Sequence, residues 1–176
     1  MRAFARILAA LCVLLSIAGL GAQTSPVEAP LVFTIEMQDG APRVHLALRN
    51  RSNAPVHVLL GVRDNLGEDL DAFSFLFVDA GGQRVPVVLI GHAVQGNIGP
   101  VHEVIAPGKG WQTDMKLSEF MIFKDPANPS PFDRLPAGSY TVYGIFKGDS
   151  TNWPPHSSPY WVGTVQSAPV RYAISK

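Results

Sequence analysis

The sequence predicts an all-β fold: an antiparallel β-sandwich of about seven to nine short strands, with at most one short helical turn. Three observations predict it. From residue 31 onward, apolar side chains recur at every second position, the period of a half-buried strand. Clusters of Gly, Pro, Asn and Asp interrupt these runs roughly every eight to twelve residues. No segment has the length and helical period of the crossover helices that a parallel sheet requires.

The N-terminal segment stands apart from that pattern. Arg2 and Arg6 precede an apolar run from Ile7 to Leu20, and Leu20-Gly21-Ala22 supplies small residues before Gln23. A basic head, an apolar middle and a small-residue exit are the anatomy of a secretory signal peptide, so residues 1–22 are expected to be removed after Ala22. The run is shorter than the roughly 20 apolar residues of a spanning helix, and no later segment approaches that length. Cys12, the one cysteine of the chain, lies inside it, preceded by Leu11 rather than the small residue of a lipid-modification site. The expected mature chain of about 154 residues, a single-domain size, is therefore free of cysteine. Disulfides, thiolate metal sites and a cysteine nucleophile are excluded from it. Loss of Arg2 and Arg6 takes the 14 basic side chains to 12, against 14 acidic ones. So small and scattered a net charge points to neither nucleic acid nor an anionic membrane surface.

Residues 23–30 (QTSPVEAP) read as a tether and 31–176 as the domain. In LVFTIEMQ, Leu31, Phe33, Ile35 and Met37 share one face, and Asp39-Gly40 follows as a tight turn. RVHLALRN puts Val44, Leu46 and Leu48 inward, with Arg43, His45 and Arg49 outward. After the turn NRSNAP, PVHVLLGV places Val56, Val58 and Leu60 on one face. Phe73, Phe75 and Phe77 alternate in DAFSFLFVD, and Ala80-Gly81-Gly82 turns the chain. QRVPVVLI is a short strand whose Pro86 has no N–H to donate, which predicts an edge position. Gly91 to Pro100 is a loop, and VHEVIAPGKG ends in a Pro-Gly turn. WQTDMKL alternates Trp111, Thr113, Met115 and Leu117. Ser118 is placed to cap the one helical turn, Glu119 to Phe123, which the prolines at 126, 129 and 131 keep short. GSYTVYGIFKG is a strand, and YWVGTVQSAPVRYAIS closes the chain.

LALRNRSNAPVHVLLG, IAPGKGWQTDMKLSEF and LPAGSYTVYGIF together resemble the bacterial immunoglobulin-like sandwiches. The shared pattern is a strand, an Asn-Ser-like turn with Pro-Val, a Pro-Gly turn before a middle strand, and a Gly-x-Tyr-x-Val strand. It is similar to the intracellular proteinase inhibitor type and to fibronectin type III relatives, over residues 31 to 173. The resemblance implies an immunoglobulin-like sandwich. Its motifs are turn and core features and imply no particular activity. The export signal and the long segments 91–100, 119–137 and 148–160 depart from the inhibitor type. Within the pattern, Tyr140 is expected to bury its ring and return its hydroxyl to nearby backbone as a corner tie.

The stretch GDSTNWPPHSSPYW, residues 148–161, is the most crowded chemically. Trp153, Tyr160 and Trp161 offer large flat surfaces, His156 a polar contact, and Pro154, Pro155 and Pro159 lower the entropy lost on fixing them. These four non-proline residues are the expected ligand-binding set, with sugar rings and proline-containing peptides as suitable ligands. The 91–100 loop would assist if both loops lie at one end. Trp161 is the residue of the set expected to reach the core, and Trp153 the one expected to be exposed.

No catalytic residue is expected. Asp149, Ser150 and His156 are the residue types of a triad, but Ser150 lacks a Gly-x-Ser-x-Gly elbow and a following helix. No metal or cofactor is expected either. His92, His102 and Glu103 match no ligand spacing, and His45 and His57, on what read as neighbouring strands, look outward. Asp64, Glu68, Asp69 and Asp71 depart from the calcium-loop order, and GHAVQGNIG lacks the lysine and helix of a phosphate loop. The expected function is an exported, periplasmic or extracellular, non-catalytic binding module for a protein or glycan. It has no membrane span in the mature chain and no nucleic-acid partner. The alternatives are an inhibitor of an extracytoplasmic protease, inserting KDPANPSPFDRLP (124–136), and a hydrolase with an unrecognised site.

Overall fold

A computed structural model describes residues 29–38, 42–89, 91, 95–124, 127–149 and 159–175. The expected signal peptide, most of the tether and the Asp39-Gly40 turn lie outside the described residues. Within them the chain forms thirteen strands: β1 Leu31–Met37, β2 Arg43–Asn50, β3 Val56–Arg63, β4 Glu68–Asp69, β5 Phe73–Asp79, β6 Arg84–Leu89, β7 Gly99–Ile105, β8 Gly110–Lys116, β9 Phe120–Ile122, β10 Ser130–Pro131, β11 Gly138–Gly148, β12 Gly163–Gln166 and β13 Val170–Ile174. Among the described residues, two three-residue 3-10 turns, Leu117–Glu119 and Phe132–Arg134, are the helical content.

Every pairing is antiparallel. Two three-stranded sheets, ordered β1-β2-β8 and β4-β3-β7, accompany a seven-stranded sheet ordered β10-β9-β6-β5-β11-β12, with β13 on the same edge of β11 as β12. Strand β1 lies against β11, β12 and β13, which closes a β-sandwich. The alternation read from the sequence explains the core. Leu31, Phe33 and Ile35 meet Val44, Leu46 and Leu48 on one layer, while Phe73, Phe75, Phe77, Val142 and Phe146 line the other. Fully burying side chains of this size stabilises by about 1.5–3 kcal/mol each. The layers come closest at Gly144. A Cβ there would lie 2.7 Å from Cε1 of Phe33, and closer still to Cγ2 of Ile35.

Two buried polar residues tie the framework together. Asn50, fully buried, donates to the carbonyls of Ala54 (2.7 Å) and Ile105 (2.8 Å), and its Oδ1 accepts from the backbone N–H and hydroxyl of Ser52. It links the end of β2 to the end of β7. Ser167 spans the break between β12 and β13: its N–H donates to the Gly144 carbonyl and its hydroxyl oxygen accepts from the Gly144 N–H, both at 2.9 Å. The corner tie forms as expected. The Tyr140 ring is buried and its hydroxyl donates to the Pro136 carbonyl at 2.8 Å.

Four expectations need correction. Strand β6 is interior, between β5 and β9. Pro86 is tolerated there because N and C=O of one strand residue point to the same side. The Pro86 carbonyl accepts from Phe123 N–H at the end of β9, so its ring nitrogen faces the place where that neighbour stops. Residues 120–122 are a strand rather than a helical turn. Beside β6, Phe120 and Ile122 turn inward and the backbone gains ladder partners, whereas one isolated helical turn leaves its end groups unsatisfied. His45 and His57 lie in different sheets: His45 pairs with Asp114 at 2.9 Å, and His57 stands opposite Val104. The strand count exceeds nine because residues 120–122 add a strand, two-residue pairings form at β4 and β10, and the last run divides at Ser167.

Candidate binding loop and its stem

The crowded stretch begins where β11 ends and returns where β12 begins. Gly148 stands opposite Gly163 in the register. Above that pair lies Trp161. A Cβ at Gly148 would be 2.5 Å from Cε3 of the indole, and one at Gly163 would be 2.7 Å from Cζ2. Two glycines in register thus clear the space for one large ring. The Trp161 ring stacks on Phe146 at 5.9 Å and 14°, Phe146 meets Phe73 at 5.1 Å, and Phe73 stacks on Trp111 at 5.5 Å and 11°. This column of four rings, two of them fully buried, anchors the returning arm to the core. The Trp161 N–H also donates to the His57 carbonyl at 2.7 Å, fastening the arm to the start of β3.

Tyr160 turns inward, 5% exposed, with its ring 6.1 Å from that of His102 on β7. Burial pushes its hydroxyl pKa above the ordinary tyrosine value. Beside the arm opens a cleft of about 440 Å³ lined by Pro55, Val56, His57, Pro159, Tyr160 and Trp161. Its walls are mostly apolar, built from prolines, aromatic rings and Val56, with the His57 imidazole as a polar contact, which suits an extended chain or ring more than a charged group.

Of the four sequence-derived site residues, Tyr160 and Trp161 meet at this stem. Trp153 and His156 lie outside the described residues, as does Ser150. His57 joins the cleft; outward alternation in its strand was the one local signal for it. The 91–100 loop does not reach the stem with its described part. The Gln95 carbonyl accepts from Asn65 N–H, the Gln95 N–H donates to the Asp64 carboxylate, and Gly99 stands opposite Arg63, six residues along β3 from His57. At about 3.3 Å per residue, that separation is roughly 20 Å.

The other polar clusters have structural work. Asp64 Oδ1 accepts from the N–H groups of Leu66 (2.7 Å) and Gly67 (3.2 Å), and Oδ2 from Gln95 N–H (2.7 Å), so its carboxylate caps a turn. Glu68 pairs with Arg63. Desolvation of its carboxyl, with a lesser contribution from Asp69's charge, holds Asp71 above the ordinary carboxylate value. Among the described residues, no group of three or more His, Asp or Glu is placed to hold a metal ion, and no helix is long and apolar enough to cross a membrane. The segment considered for protease insertion is packed down where it is described. Ser130 and Pro131 pair with β9, Phe132 sits against Phe77 at 5.5 Å, and Leu135 is buried. No protein-family model matches the chain, and no curated protein matches it.

Proposed function

We propose that this protein is an exported, non-catalytic binding module of the immunoglobulin-like type that presents its 148–161 segment to a protein or glycan partner. The observation that carries the reading is the clamp at the stem. Both arms are held where they leave the sandwich, by the Gly148–Gly163 pairing, the seated Trp161 ring and the Trp161–His57 hydrogen bond. Ends fixed in this way reduce the ordering cost a partner must offset on binding.

In this reading Tyr160 and Trp161 hold the stem and form the cleft wall, while Trp153 and His156 supply the contacts beyond it. Export rests on the basic, apolar and small-residue order of residues 1–22. The test is a glycan and peptide array probed with the labelled protein. Ligands should be retained by the parent and lost with Trp153→Ala, whose melting temperature should stay unchanged. If Trp153→Ala binds every ligand as the parent does, the segment is not the recognition surface.

A further inference from the structure

The seven-stranded sheet has a second face that departs from the alternation of the rest. Its inward positions are the core phenylalanines and valines already described. The register places the outward ones in rows across the strands. Met121, Val88, Ser74 and Ile145 form one row, and Pro86, Leu76 and Tyr143 the next. Val78 and Thr141 follow, between Arg84 and Arg171. Leu76, Val78, Val88, Met121, Tyr143 and Ile145 thus form one contiguous apolar patch. Leu76 is 9% exposed yet does not belong to the core cluster, because neighbours on its own face shield it.

The opposite layer behaves conventionally. Outward positions of β1, β2 and β8 carry Glu36, Arg43, His45, Arg49, Gln112 and Asp114. An antiparallel sheet with one wet face reads as alternately apolar and polar. Strands covered on both faces read as near-continuous apolar runs. FSFLFV, VPVVL and TVYGIF, from β5, β6 and β11, are runs of the second kind. Yet Arg84, Pro86 and Arg171 on this face are exposed, so no other described residue covers it at these positions.

Charge selects the occupant. The charged outward positions of this sheet are Arg84, Lys147 and Arg171, and no outward strand position holds an acid. A second copy laid on the face would bring cations against cations. A bilayer is entered by protruding apolar side chains, whereas each of the six patch residues is buried or half-buried. A layer of protein fits both features: an apolar stripe to cover the patch, with carboxylates at its margins to meet the cations. A helix of about three turns is roughly 16 Å long, matching four strands at about 4.8 Å spacing. We propose that the outer face of the seven-stranded sheet docks an acidic amphipathic helix of a partner protein. This surface is separate from the 148–161 segment, and its test does not depend on that segment's role.

The probe is a synthetic amphipathic helical peptide with a leucine stripe flanked by glutamates, compared with a twin flanked by lysines, both titrated by fluorescence anisotropy. The glutamate peptide should bind at least about tenfold tighter than its twin, with the gap narrowing from about 50 to about 500 mM salt. Val88→Glu should weaken binding at least about tenfold. Because that variant sits within a strand, the exposed pair Arg84→Glu and Arg171→Glu provides a second arm. Each should weaken binding at least about threefold at an unchanged melting temperature. Equal binding of the twins, no binding, or indifference to all three substitutions would overturn the proposal. So would self-association, or sedimentation with anionic phospholipid vesicles, that Val88→Glu abolishes, since either reassigns the face to a different occupant.

Discussion

Substituting Gly148→Ala places a methyl group where the Trp161 ring and backbone already sit. The added Cβ would stand 2.5 Å from indole Cε3 and 2.5 Å from the Trp161 carbonyl oxygen. Carbon contacts are favourable at about 3.5–4.0 Å, so the returning arm must move outward by roughly 1 Å. Overpacking of this kind costs about 1–3 kcal/mol. The same movement stretches the 2.7 Å hydrogen bond from Trp161 N–H to the His57 carbonyl, which adds about 1 kcal/mol if it is lost. A total of about 2–4 kcal/mol lowers the melting temperature of a domain of this size by roughly 5–15 °C. The assay is thermal unfolding followed by near-ultraviolet circular dichroism, which reads the fixed packing of the aromatic rings, the Trp161–Phe146 stack among them. In a double-mutant cycle with Trp161→Ala, the cost of the added methyl should fall without vanishing, because the ring leaves and the carbonyl remains. A Gly148→Ala variant with the parent's melting temperature and aromatic spectrum would refute the clamp.

Further outcomes follow from the same packing. Tyr140→Phe removes the bond to the Pro136 carbonyl and should cost about 1 kcal/mol at neutral pH, read in urea melts. Burial, then the charge of Asp79, raises the Tyr140 pKa above 10.0, so the parent loses stability as pH rises through that value and the gap to Tyr140→Phe should narrow. The folded state holds the Asp71 proton more tightly than the unfolded one, so stability is fully present below pH 3.8 and is lost as pH climbs through the raised value. Asp71→Asn should therefore melt higher than the parent at pH 7, and the difference should disappear below pH 3.8. Asn50→Ala strands the Ile105 carbonyl and the turn groups it joined, and should cost about 2–4 kcal/mol in the same melts.

The core was legible because each long strand presents one face to it. Phe33, Leu46, Phe75 and Val142 all stand where period-two reading puts them. Tyr140 was legible for a local reason, since its hydroxyl returns to a carbonyl four residues back. What depends on partners distant in sequence was not. Residues 120–122 carry too few positions to separate a strand from a helical turn, and the choice is made by β6 some 30 residues earlier. Pro86 signals an edge, but the strand is interior because β9 ends opposite the missing donor. His57 meets Trp161 across about a hundred residues, through a pairing no local pattern encodes. The open apolar face was visible in FSFLFV and VPVVL, but it becomes a surface only when the register sets Leu76 beside Pro86 and Tyr143.

The proposed function divides the 148–161 segment into a stem that belongs to the core and a tip that recognises a partner. Melting temperature and array binding measured together on Trp153→Ala and Trp161→Ala test this most directly. Trp161→Ala should lower the melting temperature by roughly 10 °C or more, as loss of a large packed ring does. Trp153→Ala should leave it within about 1 °C while abolishing ligand capture. A melting loss on Trp153→Ala equal to that on Trp161→Ala, or capture that survives it, would show that stem and tip are not divided in this way.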